Sequence, residues 1–66
     1  MTLKVNGNAM TTDAQTLADF FAQKQLETRH SIVELNHEVV LKTADFANIF
    51  LHEGDELNIL HIVGGG

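Results

Sequence analysis

The sequence predicts an α+β fold in which one helix lies across one face of a mixed sheet. Three observations carry that prediction. An Asn-Gly pair sits between two short runs near the start, a single stripe of apolar residues at helical spacing follows, and three more strand-like runs come after it. Helix and strands alternate too irregularly for a doubly wound sheet, so a helix packed on one side of the strands is the arrangement that buries the apolar stripe.

Leu3-Lys4-Val5 alternates apolar and polar residues, and after Asn6-Gly7-Asn8 comes a second short run, Ala9-Met10-Thr11-Thr12. Asn and Gly both tolerate the positive φ of a tight hairpin turn, which predicts strand, turn, strand. Thr16 has the character of a helix N-cap: its hydroxyl can accept an orphan backbone N–H, and Asp19 suits the positive end of the helix. Leu17, Phe20 and Phe21 share one face, so the helix is expected from Leu17 to about Gln25, with Leu26 folding back onto the same face. Ile32-Val33-Glu34-Leu35 predicts a third strand, Asn36-His37 a turn, and Glu38-Val39-Val40 a short fourth strand. Thr43 to Asn48 resembles one helical turn with Thr43 as cap and Phe46 pointing inward. After a turn at Glu53-Gly54-Asp55, the run Glu56 to Val63 is the longest strand. Residues 1–63 thus form one domain, and Gly64-Gly65-Gly66 forms a flexible tail.

A chain of 66 residues has room for one core and no deep cleft beside it. That size favours binding, carrying or signalling over independent catalysis. With 44% hydrophobic and 20% charged residues the chain is globular rather than disordered. Cys is absent, which excludes disulfides, a thiolate nucleophile and cysteine-based metal sites and is compatible with a reducing compartment. No apolar run approaches the ~18 residues of a membrane span, and the first residues lack the apolar core of a signal peptide, so a cytoplasmic location is expected. Net charge is −5, and the basic residues Lys4, Lys24, Arg29 and Lys42 are scattered, which argues against nucleic acid as a partner. The acidity suits docking on a basic protein surface, and equally it promotes solubility.

The terminal glycines are the most informative feature. The bland alternatives are a frayed end or a cloning remnant. Against both, the glycines follow directly on the most apolar strand, with no polar spacer. Lacking side chains, they can thread a narrow channel, and three extended residues reach about 10 Å. A carboxylate at Gly66 can therefore enter a partner's site while the folded body stays outside. Activation of that carboxylate by attack on the α-phosphate of ATP gives an acyl-adenylate, which a sulfur or nitrogen nucleophile opens. Phosphate stabilisation and metal chemistry would come from the partner.

The last strand adds a second signal. Leu57, Ile59, His61 and Val63 fall on one face and Glu56, Asn58, Leu60 and Ile62 on the other. The first face is expected to meet Leu17, Phe20 and Phe21 in the core. With one helix available, the second face is left largely uncovered. Leu60 and Ile62 then form an exposed apolar patch beside the tail, a partner-binding candidate, unless the third strand and loops cover them.

Taken together, the Leu3–Thr12 hairpin, the Thr16-Leu17 helix start, Val33-Glu34-Leu35-Asn36 followed by Val39-Val40, Leu51-His52-Glu53-Gly54-Asp55-Glu56-Leu57, and the Ile59-Leu60-His61-Ile62-Val63-Gly64-Gly65-Gly66 ending resemble the ThiS family of thiamine-pathway sulfur carriers over nearly the whole chain. The chain is more distantly similar to the MoaD carriers of molybdopterin synthesis and to ubiquitin. The resemblance implies a β-grasp fold and a carrier rather than an enzyme. A ubiquitin-activating-enzyme-like adenylyltransferase would adenylate Gly66 using ATP and magnesium. Sulfur, ultimately from cysteine, would convert the carboxylate to a thiocarboxylate, and thiazole synthase would take that sulfur. Gly64 and Gly65 form the tail. No cofactor is expected on the carrier itself, and a monomer is the default for a protein that visits two partners. The alternatives are a molybdopterin-type carrier and a ubiquitin-like noncovalent binding module.

Other residues invite different chemistry. His30, His37, His52 and His61 lack the i, i+4 spacing of a helical zinc pair. His61 reads as strand packing and the other three as surface or turn residues. The acidic residues Asp13, Asp45, Glu53, Asp55 and Glu56 lack the alternation of a calcium loop and read as a solvated face, with Asp55 and Glu56 at a partner's rim. No nucleophile–base pair points to a free-standing enzyme.

Overall fold

A computed structural model of the chain describes residues 1–61. The N-terminal hairpin joins β1 (Thr2–Val5) to β2 (Asn8–Thr11), and α1 follows at Leu17–Gln23. A second hairpin joins β3 (Ser31–Leu35) to β4 (Glu38–Val40), a 3-10 helix covers Thr43–Asn48, and β5 runs over Glu56–His61. The sheet order is β2-β1-β5-β3-β4, with β5 parallel to β1 and antiparallel to β3. The last strand therefore occupies the centre of the mixed sheet the sequence predicts.

Local chemistry explains the elements. Asn6 and Gly7 have φ of 48° and 86°, and Asn36 and His37 have 52° and 71°, so both hairpins turn through consecutive positive-φ residues, whose twist matches the strands. The Thr16 hydroxyl accepts the Asp19 N–H at 3.1 Å, the cap expected from the sequence. Thr12, the one buried polar residue among those described, accepts from the Ala14 N–H and donates to Gln23 at 3.1 Å each. That pairing removes the penalty of burying its hydroxyl.

The helix ends two residues before the expected Gln25. Gln25 takes φ of 56°, its N–H donates to the Ala22 carbonyl, and the Leu26 N–H donates to the Phe21 carbonyl at 2.9 Å. These are the paired bonds of a Schellman stop, here built without the usual glycine, so the sequence carried no stop signal. Leu26 does fold back against the core. Thr43 is also corrected: it is the first residue of the 3-10 helix, and Lys42 occupies the cap position with no side-chain cap bond.

Leu3, Leu17, Phe20, Phe21, Val33 and Leu57 are almost wholly buried between the sheet and α1. Phe46, pointing inward as expected, closes one side, its ring 5.1 Å from that of Phe21. Burial of an aromatic pair in this tilted geometry adds about 0.5–1.5 kcal/mol beyond its area. No helix among the described residues is long and apolar enough to cross a membrane.

Candidate functional site: the uncovered sheet face and the end of β5

All of the core lies on one side of the sheet, leaving the opposite face without a helix. Register places its residues in rows. Ile32 of β3 lies directly across from Leu60 of β5, Glu34 lies across from Asn58, and Val39 of β4 lies across from Glu34. Residues directly opposite on antiparallel strands have Cβ atoms about 4.5–5.5 Å apart. Ile32, Val39 and Leu60 are 41%, 51% and 61% exposed, so the face carries a contiguous apolar strip with Glu34 and Asn58 set into it. A shallow depression of about 280 Å³ lies over this strip, lined by Asn6, Ile32, Glu34, Asn58, Ile59 and Leu60.

The alternation read along β5 holds for the described residues. Leu57 is fully buried, Ile59 is half-buried against the core and opposite Val33, and Leu60 is exposed on the other side. Leu60 is thus a surface residue of the candidate patch. The second patch residue, Ile62, lies outside the described residues, as do Val63 and the tail residues Gly64, Gly65 and Gly66.

The structure supplies two patch members the sequence reading did not name, Ile32 and Val39. The signal for Ile32 was present: Val33 and Leu35 occupy alternate positions of β3, which turns Ile32 and Glu34 to the other face. For Val39 no local signal existed, because a three-residue edge strand does not reveal which way it faces.

His61 is corrected. It is exposed rather than packed, at the mouth of a second groove of about 290 Å³ between the end of α1 and the sheet. Its Nδ1 lies 3.3 Å from the Ser31 hydroxyl, which donates its single hydrogen to the Glu27 carbonyl at 2.9 Å. His30, His37 and His52 are exposed, as expected. His37 lies 3.5 Å from Glu56 and His52 3.8 Å from Asp55, each an isolated pair. Asp55 and Glu56 are tied into the base of β5: Asp55 accepts from the His52 N–H at 2.8 Å and from the Asn36 amide at 3.0 Å.

Two hairpins flanking a central last strand, with a single helix on one face and an apolar strip on the other, define a β-grasp domain of the ubiquitin-like class. Over its full length the chain superimposes on the crystal structure of a thiamine biosynthesis protein, ThiS, from Geobacter metallireducens, with a TM-score of 0.79 and 31% identity covering all of both chains. The solution structure of a thiamine biosynthesis protein from the same organism gives 0.77 and 30%, covering all of this chain and 88% of that one. The sulfur carrier protein ThiS of Bacillus subtilis is 39% identical over 54 residues, 82% of this chain and 80% of the relative. The ThiS family model matches residues 3–66, and the chain belongs to the ThiS family.

Proposed function

We infer that this protein is a sulfur carrier of thiamine biosynthesis and works as a carried substrate of other enzymes, not as a catalyst. The single observation that carries this reading is the match of the ThiS family along residues 3–66, through the terminal glycines. The fold agrees with that role: its candidate surfaces are an exposed face and a strand end, and the depression over the face is shallow and lined in part by Ile32, Ile59 and Leu60.

The chemistry resides at Gly66. Its carboxylate oxygen attacks the α-phosphorus of ATP, forming an acyl-adenylate and releasing pyrophosphate. Hydrosulfide, supplied by the sulfur source, then attacks the acyl carbon, AMP leaves with the bonding pair of its phosphate oxygen, the S–H proton is lost to solvent, and a thiocarboxylate remains. Magnesium and the groups that stabilise the phosphates belong to the ubiquitin-activating-enzyme-like partner. Thiazole synthase receives the sulfur. The strip of Ile32, Val39 and Leu60 is the docking face for the adenylating partner, because burying exposed apolar area drives association without needing a deep pocket. Gly64 and Gly65 let the carboxylate reach a narrow site about 10 Å from the folded body.

The test is the intact mass of the protein after incubation with ATP, magnesium, a sulfur source and the activating enzyme. The expected result is a gain equal to sulfur replacing one oxygen, localised to the C-terminal fragment. Localisation is essential, because oxidation of Met1 or Met10 to the sulfoxide changes the mass almost equally. No change at the C-terminus, with an enzyme active on another carrier, overturns the reading in favour of a noncovalent module.

A further inference from the structure

We propose that Asn6 is a positioning residue for the carrier reaction: its side chain supplies the last rung on the β1 side of β5 and so aims the strand end from which the tail emerges. The role rests on the carrier reading above. The parallel ladder between β1 and β5 is short, pairing Lys4 with Glu56 and Val5 with Leu57. It stops there because Asn6 and Gly7 reverse the chain into β2. The Asn6 N–H still donates to the Leu57 carbonyl at 2.9 Å. The next N–H of β5 on that side, at Ile59, would then face the place where β1 has already turned away.

Asn6 fills that place with its side chain. The Ile59 N–H donates to Asn6 Oδ1 at 2.8 Å, across 53 positions of sequence. A side-chain carbonyl thus stands where an extended β1 would have offered a backbone carbonyl, and the ladder gains one rung beyond the turn. Asn and Asp both tolerate φ near 48° and carry an acceptor at this reach. Gly at the same position would keep the turn and lose the rung.

The location gives the rung its consequence. Past Ile59, the described part of β5 has two residues, Leu60 on the docking strip and His61, before the segment leading to Gly66. On the other side this stretch is held by β3, with Ile32 opposite Leu60 and Ser31 opposite His61. Without Asn6 Oδ1, the strand end hangs from β3 alone, and the direction in which it delivers the tail is set on one side instead of two. A strand end held on one side only lowers the fraction of docked carrier in which the tail reaches the reacting phosphorus, and productive positioning of that kind is worth large factors in rate.

The experiment compares Asn6→Gly, which retains the turn backbone and removes the acceptor, with Asn6→Asp, which retains both. Amide hydrogen exchange of the free protein reads the rung directly, and steady-state adenylation by the activating enzyme reads its use. In Asn6→Gly, exchange at Ile59 is expected to accelerate while Val33 and Leu57 stay protected, and kcat to fall by about tenfold or more with KM changed far less. Asn6→Asp is expected to restore both. Asn6→Gly adenylated at the wild-type kcat, or Asn6→Asp no better than Asn6→Gly, overturns the positioning role and leaves the carrier reading intact. A wild type that is never adenylated by an enzyme active on another carrier overturns the carrier reading, and with it the role given to Asn6.

Discussion

Asn36 and Glu56 hold each other reciprocally: the Asn36 N–H donates to the Glu56 carbonyl at 2.8 Å, and the Glu56 N–H donates to Asn36 Oδ1 at 2.9 Å. The Asn36 amide also donates to Asp55 at 3.0 Å. A turn residue of the second hairpin thereby fixes where β5 begins, as Asn6 of the first hairpin holds it at Ile59. The central strand is gripped near both ends by side chains from turns that lie far from it in sequence.

Asn36→Gly keeps the positive-φ turn and removes both side-chain bonds. At about 0.5–1.5 kcal/mol net for each hydrogen bond, the loss should be roughly 1–2 kcal/mol, given that both bonds are exposed. Urea denaturation checks this, with the midpoint expected to fall at an unchanged slope.

Leu57 and Leu60, three positions apart on one strand, should respond in opposite ways. Leu57→Ala removes a fully buried side chain and should cost about 2–5 kcal/mol. A core of this size supplies only roughly 3–5 kcal/mol in total. The variant is expected to be largely unfolded, as dispersion loss in its amide spectrum would show.

Leu60→Asp leaves the core untouched and should remain folded, with a melting temperature within about 4–8 °C of the wild type, equivalent to a change of no more than about 1 kcal/mol. Binding to the adenylating partner should weaken by about tenfold or more, because the substitution places a charge on the β5 side of the apolar strip, directly across from Ile32. Calorimetric titration separates the two effects. Unfolding instead would mean that the strip is part of the core.

Deletion of Gly66 should abolish adenylation while the melting temperature stays at the wild-type value, because the described core is built entirely from residues before Gly66. Sulfur recovered on the shortened chain anywhere other than its new terminal carboxylate at Gly65 would refute the terminal-carboxylate mechanism.

Thr16→Ala removes the hydroxyl that caps α1 and should destabilise the domain by about 0.5–2 kcal/mol. Thermal unfolding should fall by several degrees. Thr16→Asp should recover most of the loss, since a carboxylate both caps and meets the positive helix end.

Much of this architecture was legible in the chain because its signals are local. Asn6-Gly7 marked the first hairpin, Thr16 with Asp19 marked the helix start, and the spacing of Leu17, Phe20 and Phe21 marked the buried stripe. The alternation in β5 placed Leu57 inside and Leu60 outside. Where the reading missed, the missing information was not local. Gln25 stops the helix in a left-handed conformation that its residue type does not favour, held there by backbone bonds to Ala22 and Phe21 and by Leu26 packing on the core. His61 lies on the core-facing side of its strand, yet the core ends before it, so it is exposed.

By itself, then, the sequence determined the class of fold, the identity of the buried stripe, the apolar residue at Leu60 and the family to which the chain belongs. Only the tertiary structure decided that β5 lies between β1 and β3, that Ile32 and Val39 join Leu60 in one strip, and that Asn6 and Asn36 are fastened to the strand that leads to the tail. The physical reason is distance along the chain. Turns, caps and periodicity act between residues a few positions apart and leave their mark in composition, whereas the contact between Asn6 and Ile59 spans 53 positions and exists only after the strands have paired.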